Sequence, residues 1–246
     1  MSYERSAQYY DYFDTKPNTS FYVELEKQTT GDVLELGVGT GRVLFEICKT
    51  GRDGVGIDKS VEMLKEAKRK RRYECPEISG RCRLLAADML TFDLGREFGF
   101  IYSPSSGVQT DSPDHLRGIF RCVSDHLAED GVFAFDCSSP AVMKRTLSHS
   151  PERAELPGGR VVIRFVAQTY NEGDEVTSFD LLFKEHIPGR TTAVTVHESG
   201  VGAIVTRADI EDALDYAGLK VREMYGGFDR SPYTDESKWI VVVAGR

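Results

Sequence analysis

The 246-residue chain changes rhythm three times along its length. From residue 33 to about residue 136, short apolar runs alternate with amphipathic stretches. Residues 33–36, 54–58, 82–86, 98–103 and 131–136 read as strands of the kind buried on both faces. Residues 42–50, 60–72 and 114–127 read as helices, with Ser60 capping the second and Glu62 supporting its positive end. Strands alternating with helices of this length predict βαβ units and a mostly parallel sheet. Before them, the first 30 residues are polar and aromatic, with Tyr3, Tyr9, Tyr10, Tyr12, Phe13, Phe21 and Tyr22 close together. They read as helical turns at about 5–13 and 18–28, parted by Lys16-Pro17-Asn18.

After about residue 160 no helix separates the strands, which are expected at 161–170, 175–187 and 191–205. Asn171-Glu172-Gly173-Asp174 and Pro188-Gly189 supply the turns. In the middle strand Phe179, Leu181, Phe183 and Ile187 fall on one face, with Ser178, Asp180, Lys184 and His186 on the other. That alternation predicts an antiparallel sheet with one wet face. The earlier rhythm then returns. Thr206 caps a helix running to Ala217, with Asp209 as capping acid, and strands follow at 219–225 and 239–244. The expected division is a helical cap at 1–30, a core at 31–140 and 206–246, and an inserted sheet at 141–205 serving as a substrate lid.

Composition changes this picture little. Hydrophobic residues make up 40% and charged residues 28%, as in ordinary globular proteins. The net charge of −8 disfavours nucleic acid and anionic membrane as partners. The one basic run, Lys65 to Arg72, sits where cations complement a helix carbonyl end, so a solvated helix end is preferred over RNA contact. The five cysteines form no C-x-x-C pair. With no signal-peptide pattern and no apolar run of about 18 residues, the expectation is reduced thiols in a cytoplasmic protein without a metal site.

The chemistry concentrates after the first strand. Glu35-Leu36-Gly37-Val38-Gly39-Thr40-Gly41 carries three glycines, which let backbone turn tightly against a ligand. No P-loop Lys-Ser/Thr follows. Asp58 ends the second strand, where a carboxylate can accept both hydroxyls of a ribose. Asp88 ends the third. Each acid alone reads equally well as a surface residue, but three at corresponding strand ends point to one ligand edge.

These residues resemble the class I S-adenosylmethionine-dependent methyltransferases over about 31–140 and 206–246. The resemblance implies a doubly wound, seven-stranded, Rossmann-like α/β sheet with an antiparallel insertion after the fifth strand, and S-adenosylmethionine as cofactor. It also implies cofactor contacts from Glu35, Gly37, Gly39, Gly41, Asp58, Lys59, Asp88, Met89, Ser103 and Pro104, and from Tyr10 in Tyr9-Tyr10-Asp11. NAD(P) dehydrogenases, the main competitor for the loop, usually show G-x-G-x-x-G and a Tyr-x-x-x-Lys or His pair that finds no counterpart here.

Methyl transfer from a sulfonium is an in-line displacement, so alignment alone can supply ~7–11 kcal/mol of the barrier. A base is needed only where the acceptor must lose a proton. His197-Glu198 is the preferred pair, because a carboxylate beside a His raises its basicity. Tyr9, Ser106 and His115 are candidate substrate contacts, and His126 is expected to be structural. His186 shares with His197 the inserted sheet expected to roof the pocket, and His149, in a polar loop, has no argument in its favour. The inserted sheet resembles that of small-molecule N-methyltransferases acting on amino sugars and glycine, although the His that some amino-sugar members carry before the last helix is unmatched near Gly200. The leading expectation is methylation of a nitrogen or oxygen of a small metabolite. The alternatives are a tRNA or protein methyltransferase, or a non-catalytic cofactor-binding regulator. A homodimer through the inserted sheet is compatible with all three.

Overall fold

A computed structural model describes residues 3–13, 18–110 and 112–246. Lys16 and Pro17, the expected break between the first two helices, lie outside the described residues. The chain opens with a 3₁₀ turn, Ala7–Tyr12, and helix α1, Thr19–Glu26. The core follows as β1 Val33–Leu36, α2 Arg42–Lys49, β2 Gly54–Asp58 and α3 Val61–Tyr73. After a 3₁₀ turn at Pro76–Ile78 come β3 Cys82–Ala86, β4 Phe98–Ser103, α4 His115–His126 and β5 Leu127–Ser138.

The inserted region holds the short helix α5 Pro140–Met143 and strands β6 Leu147–Ser148, β7 Glu152–Leu156, β8 Arg160–Asn171, β9 Val176–His186 and β10 Val194–Ala203. Helix α6 Arg207–Tyr216 and strands β11 Lys220–Tyr225 and β12 Trp239–Gly245 complete the chain. No helix among the described residues is long and apolar enough to cross a membrane.

The main sheet has seven strands in the order β11-β12-β5-β4-β1-β2-β3. β1 pairs in parallel with β2 and β4, and β2–β3 and β4–β5 are parallel too. β12 runs antiparallel to both β5 and β11. This is the expected doubly wound sheet. Helices α4 and α6 cover one face through Leu116, Ile119, Phe120, Val123, Ile210, Ala213 and Leu214. On the other face lie α1, α2 and α3, through Tyr22, Leu25, Leu44, Ile47, Leu64 and Ala67. Burial on both faces is why the short strands need no alternation. The helix starts follow the sequence: Ser60 Oγ accepts the Met63 N–H at 3.2 Å, and Thr206 and Asp209 form a reciprocal capping box.

The insertion differs from expectation. A second sheet runs β10-β9-β8-β6, and β7 also pairs with β8. β6 and β7 are additional to the three expected strands: Glu152-Arg153-Ala154-Glu155 has no apolar alternation to mark a strand, yet Arg164 Nε donates to Glu152 across the pair at 2.9 Å. Within the insertion, Gln168 Nε2 donates to the carbonyls of Val142 and Arg145 at 2.9 Å, and the sheet is tied to the core where the Ala203 N–H donates to the Thr110 carbonyl at 2.9 Å. Its inner face closes a third apolar cluster with Tyr9 and Phe13 from the chain start.

Candidate active site

Because β1 to β5 run parallel, their carboxyl ends open onto one edge. β1 runs into Gly37, Gly39 and Gly41, with φ of +71°, +53° and +86°, left-handed values that side chains adopt only under strain. A Cβ at Gly41 would also stand 2.4 Å from the Phe45 ring. Asp58, closing β2, holds this loop: one carboxylate oxygen accepts the Gly39 N–H and the other the Ser60 N–H, both at 2.8 Å. Burial pushes the Asp58 pKa up while those two donors pull it down. Each oxygen keeps a lone pair for a ligand. Exposed Asp88 accepts the Leu90 N–H at 2.9 Å, and the Met89 methyl lies 3.5 Å from where a Gly37 Cβ would be. Lys59 is exposed, and half-buried Tyr10 meets Tyr3 edge-on at 5.0 Å.

Glu35 does not enter this cleft. It is buried and accepts the Tyr102 hydroxyl at 3.0 Å. Loss of solvent raises its pKa to about 8, against the pull of the Tyr102 hydroxyl, the Arg42 charge and the Leu44 N–H. It therefore supports the loop from beneath. Ser103 is also fully buried, its hydroxyl spent on the Leu36 carbonyl at 3.0 Å, and Pro104 is buried beside it. The side-chain contacts expected of Glu35 and Ser103 are corrected accordingly.

The second wall rests on a residue the sequence reading missed. Ser105 and Ser106 have φ of +62° and +60°, a region costing ~1–3 kcal/mol for residues with side chains. Asp136, wholly buried near the end of β5, holds them there, accepting the Ser105 N–H at 3.0 Å and the Ser106 N–H at 2.9 Å. The Tyr22 hydroxyl donates to the same carboxylate at 2.7 Å and Asn18 Nδ2 at 3.4 Å. Asn18 Nδ2 also reaches Ser105 Oγ at 3.2 Å, and Arg42 Nη2 reaches it at 2.9 Å. The legible signal was an acid ending an apolar strand, the same feature that singled out Asp58. The Ser106 hydroxyl meets that of Ser138 at 3.2 Å.

The chain start forms a third wall. Asp11 accepts the Thr40 hydroxyl of the glycine loop and Lys70 Nζ of α3, both at 2.6 Å. Tyr9 is fully buried, stacked on Phe183, with its hydroxyl donating to Glu185 at 2.8 Å. Burial, then Glu185, pushes its pKa up to about 12. With its hydroxyl taken by Glu185 and its ring by Phe183, Tyr9 is spent on packing the inserted sheet, against the substrate contact expected of it. Glu185, on the inner face of β9, also pairs with Arg160 at 2.8 Å.

The His197–Glu198 pair does not form. Adjacent residues on a strand point to opposite faces. The His197 side chain is 56% exposed and meets Asp180 at 2.9 Å, whereas Glu198 is buried and accepts the Arg5 N–H at 2.6 Å. His126 is structural: Nδ1 lies 2.8 Å from the Cys122 carbonyl and Nε2 accepts the Leu94 N–H at 2.9 Å. His115 stands at the start of α4, with Nδ1 3.1 Å from the Thr110 hydroxyl. Much of the basic run is engaged internally, Lys65 with Glu62, Arg69 with Glu66 and Glu74, and Lys70 with Asp11.

Residues 33–131 match the model of a methyltransferase domain. The chain is 32% identical over 221 residues to the cypemycin N-terminal methyltransferase of a Streptomyces species, covering 87% of this chain and 82% of that protein. The chain belongs to the S-adenosylmethionine-dependent methyltransferases. Another relative of this methyltransferase is the dTDP-3-amino-3,4,6-trideoxy-alpha-D-glucopyranose N,N-dimethyltransferase of Streptomyces venezuelae, 27% identical, with 88% of this chain and 87% of that one covered. The fold is shared with an S-adenosylmethionine-dependent methyltransferase from Clostridium acetobutylicum, at a TM-score of 0.80, 22% identity and coverage of 99% and 98%. The residues present fit the cofactor. The loop offers bare backbone, the nearest atom to a Cβ at Gly39 being 4.0 Å away, and Asp58 retains acceptor capacity beside it.

Proposed function

We propose that this methyltransferase methylates an amine nitrogen of a small acceptor held at the carboxyl edge of the sheet, beneath the inserted sheet and the chain start. S-adenosylmethionine, when bound, supplies an electrophilic methyl group on a sulfonium. In this reading Gly37, Gly39 and Gly41 present bare backbone to its amino-acid end, Asp58 accepts from its ribose, and Asp88 and Met89 border its adenine. Lys59 lies beside the adenine, with Tyr10 at the methionine end. Ser105 and Ser106, fixed by Asp136, and His115 border the acceptor.

The observation that carries the amine assignment is the match along most of the chain to two enzymes whose names specify nitrogen, one a peptide amino terminus and one an amino sugar. The chemistry agrees with it. A neutral amine attacks with its own lone pair and its proton leaves afterwards, so alignment between fixed walls carries the reaction. An alcohol would instead need a base in the transition state, and the preferred pair is divided between two faces of a strand.

The test is methyl transfer from radiolabelled S-adenosylmethionine to dTDP-linked amino sugars and to short peptides with a free amino terminus. Each is run beside its N-acetylated form. Label in a free amine and none in its blocked partner is expected. Label only in hydroxyl-bearing compounds would refute the amine assignment.

A further inference from the structure

Four buried side-chain atoms lack a hydrogen-bond partner among the described residues: Ser6 Oγ, Asn18 Oδ1, Glu26 Oε2 and Arg52 Nε. The last two belong to one ion pair, in which Arg52 Nε already lies 2.6 Å from the other oxygen of the carboxylate, Glu26 Oε1. The Ser6 hydroxyl belongs to the residue just before the 3₁₀ turn and is free to rotate. Asn18 Oδ1 differs, because its orientation is fixed. Asn18 Nδ2 donates to Ser105 Oγ and to Asp136, and a carboxylate can only accept. The amide therefore cannot be flipped, and its carbonyl is turned away from Asp136. Buried carbonyls are almost always paired, and one that is not calls for an explanation.

The position supplies one. Asn18 touches the loop after β4, and Arg42, which opens α2 behind the glycine loop, donates to the same Ser105 hydroxyl. Asn18 thus stands where the loop after β4 meets the start of α2. The Asp136 charge also polarises the amide through its N–H, making Oδ1 a stronger acceptor. We propose that Asn18 Oδ1 is the receptor for an amine N–H bound in the cleft. That amine is either the α-ammonium of the cofactor or the acceptor amine, the second resting on the function proposed above.

The side chain makes no capping bond to α1, so Asn18→Ala and Asn18→Ser remove the carbonyl without uncapping the helix. Calorimetric titration with S-adenosylhomocysteine and with its deamino analogue reads the cofactor source without any turnover. The native protein is expected to prefer the amino compound by about 10- to 100-fold, the value of a hydrogen bond to a charged group. If the cofactor is the source, both variants lose that preference while the deamino analogue binds unchanged.

If the acceptor is the source, the preference persists. The KM for the amino sugar or peptide that is turned over then rises about 10-fold or more, and cofactor affinity stays native. An equal loss for both adenosyl compounds makes Asn18 merely structural and overturns the proposal. So does a retained preference combined with an unchanged amine KM, or with no amine turned over.

Discussion

Asp136→Asn separates the charge of the buried carboxylate from its shape. Asp136 serves three donors at Oδ1 (Tyr22, Asn18 and Ser105) and one at Oδ2, Ser106. Asparagine has one carbonyl oxygen. If that oxygen keeps the three donors, its NH₂ must face the Ser106 N–H, donor against donor. The loss is one hydrogen bond to a charged acceptor, ~1.5–3 kcal/mol, and the other three weaken as the acceptor becomes neutral. Against this, Ser106 is freed from a left-handed conformation that costs ~1–3 kcal/mol. The net expectation is a stability loss of ~1–3 kcal/mol. The loop after β4 then rearranges, and the turnover number falls well over 10-fold because small misplacements cost much in an alignment-driven reaction. Urea unfolding followed by circular dichroism, with initial rates on the same preparation, reads both. A variant that unfolds at the native midpoint and turns over at the native rate would refute the role given to Asp136.

Three further outcomes follow from the geometry. Glu35 has a pKa raised from 4.5 to about 8, so the folded state keeps a proton that the unfolded chain has lost between those values. Its contribution therefore falls as pH rises through that window, by up to ~1.4 kcal/mol per unit. Glu35→Gln should gain on the native protein in urea melts from pH 5 to pH 8, and a pH-independent difference would contradict this. Gly41→Ala should cost ~2–5 kcal/mol, since φ is +86° and the new Cβ would meet Phe45 at 2.4 Å; an unchanged melting temperature would be inconsistent with that packing. His197→Ala should leave stability within ~0.5 kcal/mol and turnover intact, and a 10-fold fall in kcat would return His197 to the reaction.

The core was legible because its strands are buried on both faces. Val33-Leu34-Glu35-Leu36 and Phe98 to Ser103 announce themselves by apolar runs, and Ser60 and Thr206 mark helix starts with local chemistry. The glycine loop and Asp58 were legible for a related reason: backbone at φ > 0 and an acid at a strand end are local demands. What escaped depends on long-range pairing. Glu198 looked like a partner for His197 because the two are adjacent, but the pleat separates them. Tyr9 looked available for a substrate, yet Glu185 and Phe183, more than 170 residues away, take its hydroxyl and its ring. Asp136 carried the same strand-end signal as Asp58, but its role was hidden because its partners come from residues 18, 22, 105 and 106. The hairpin of β7 and β8 did leave a signal in Pro157-Gly158-Gly159, with φ of +79° and +72° at the glycines, but the charges of β7 masked its first strand.

Calorimetric titration with S-adenosylhomocysteine, with NAD as control and Asp58→Ala alongside, tests the cofactor cleft most directly. Saturable binding of the sulfur compound to the native protein, none of NAD, and an affinity at least about 10-fold weaker in Asp58→Ala are predicted. Binding of NAD, or undiminished S-adenosylhomocysteine affinity in Asp58→Ala, would contradict the assignment of the glycine loop and Asp58 as the cofactor site.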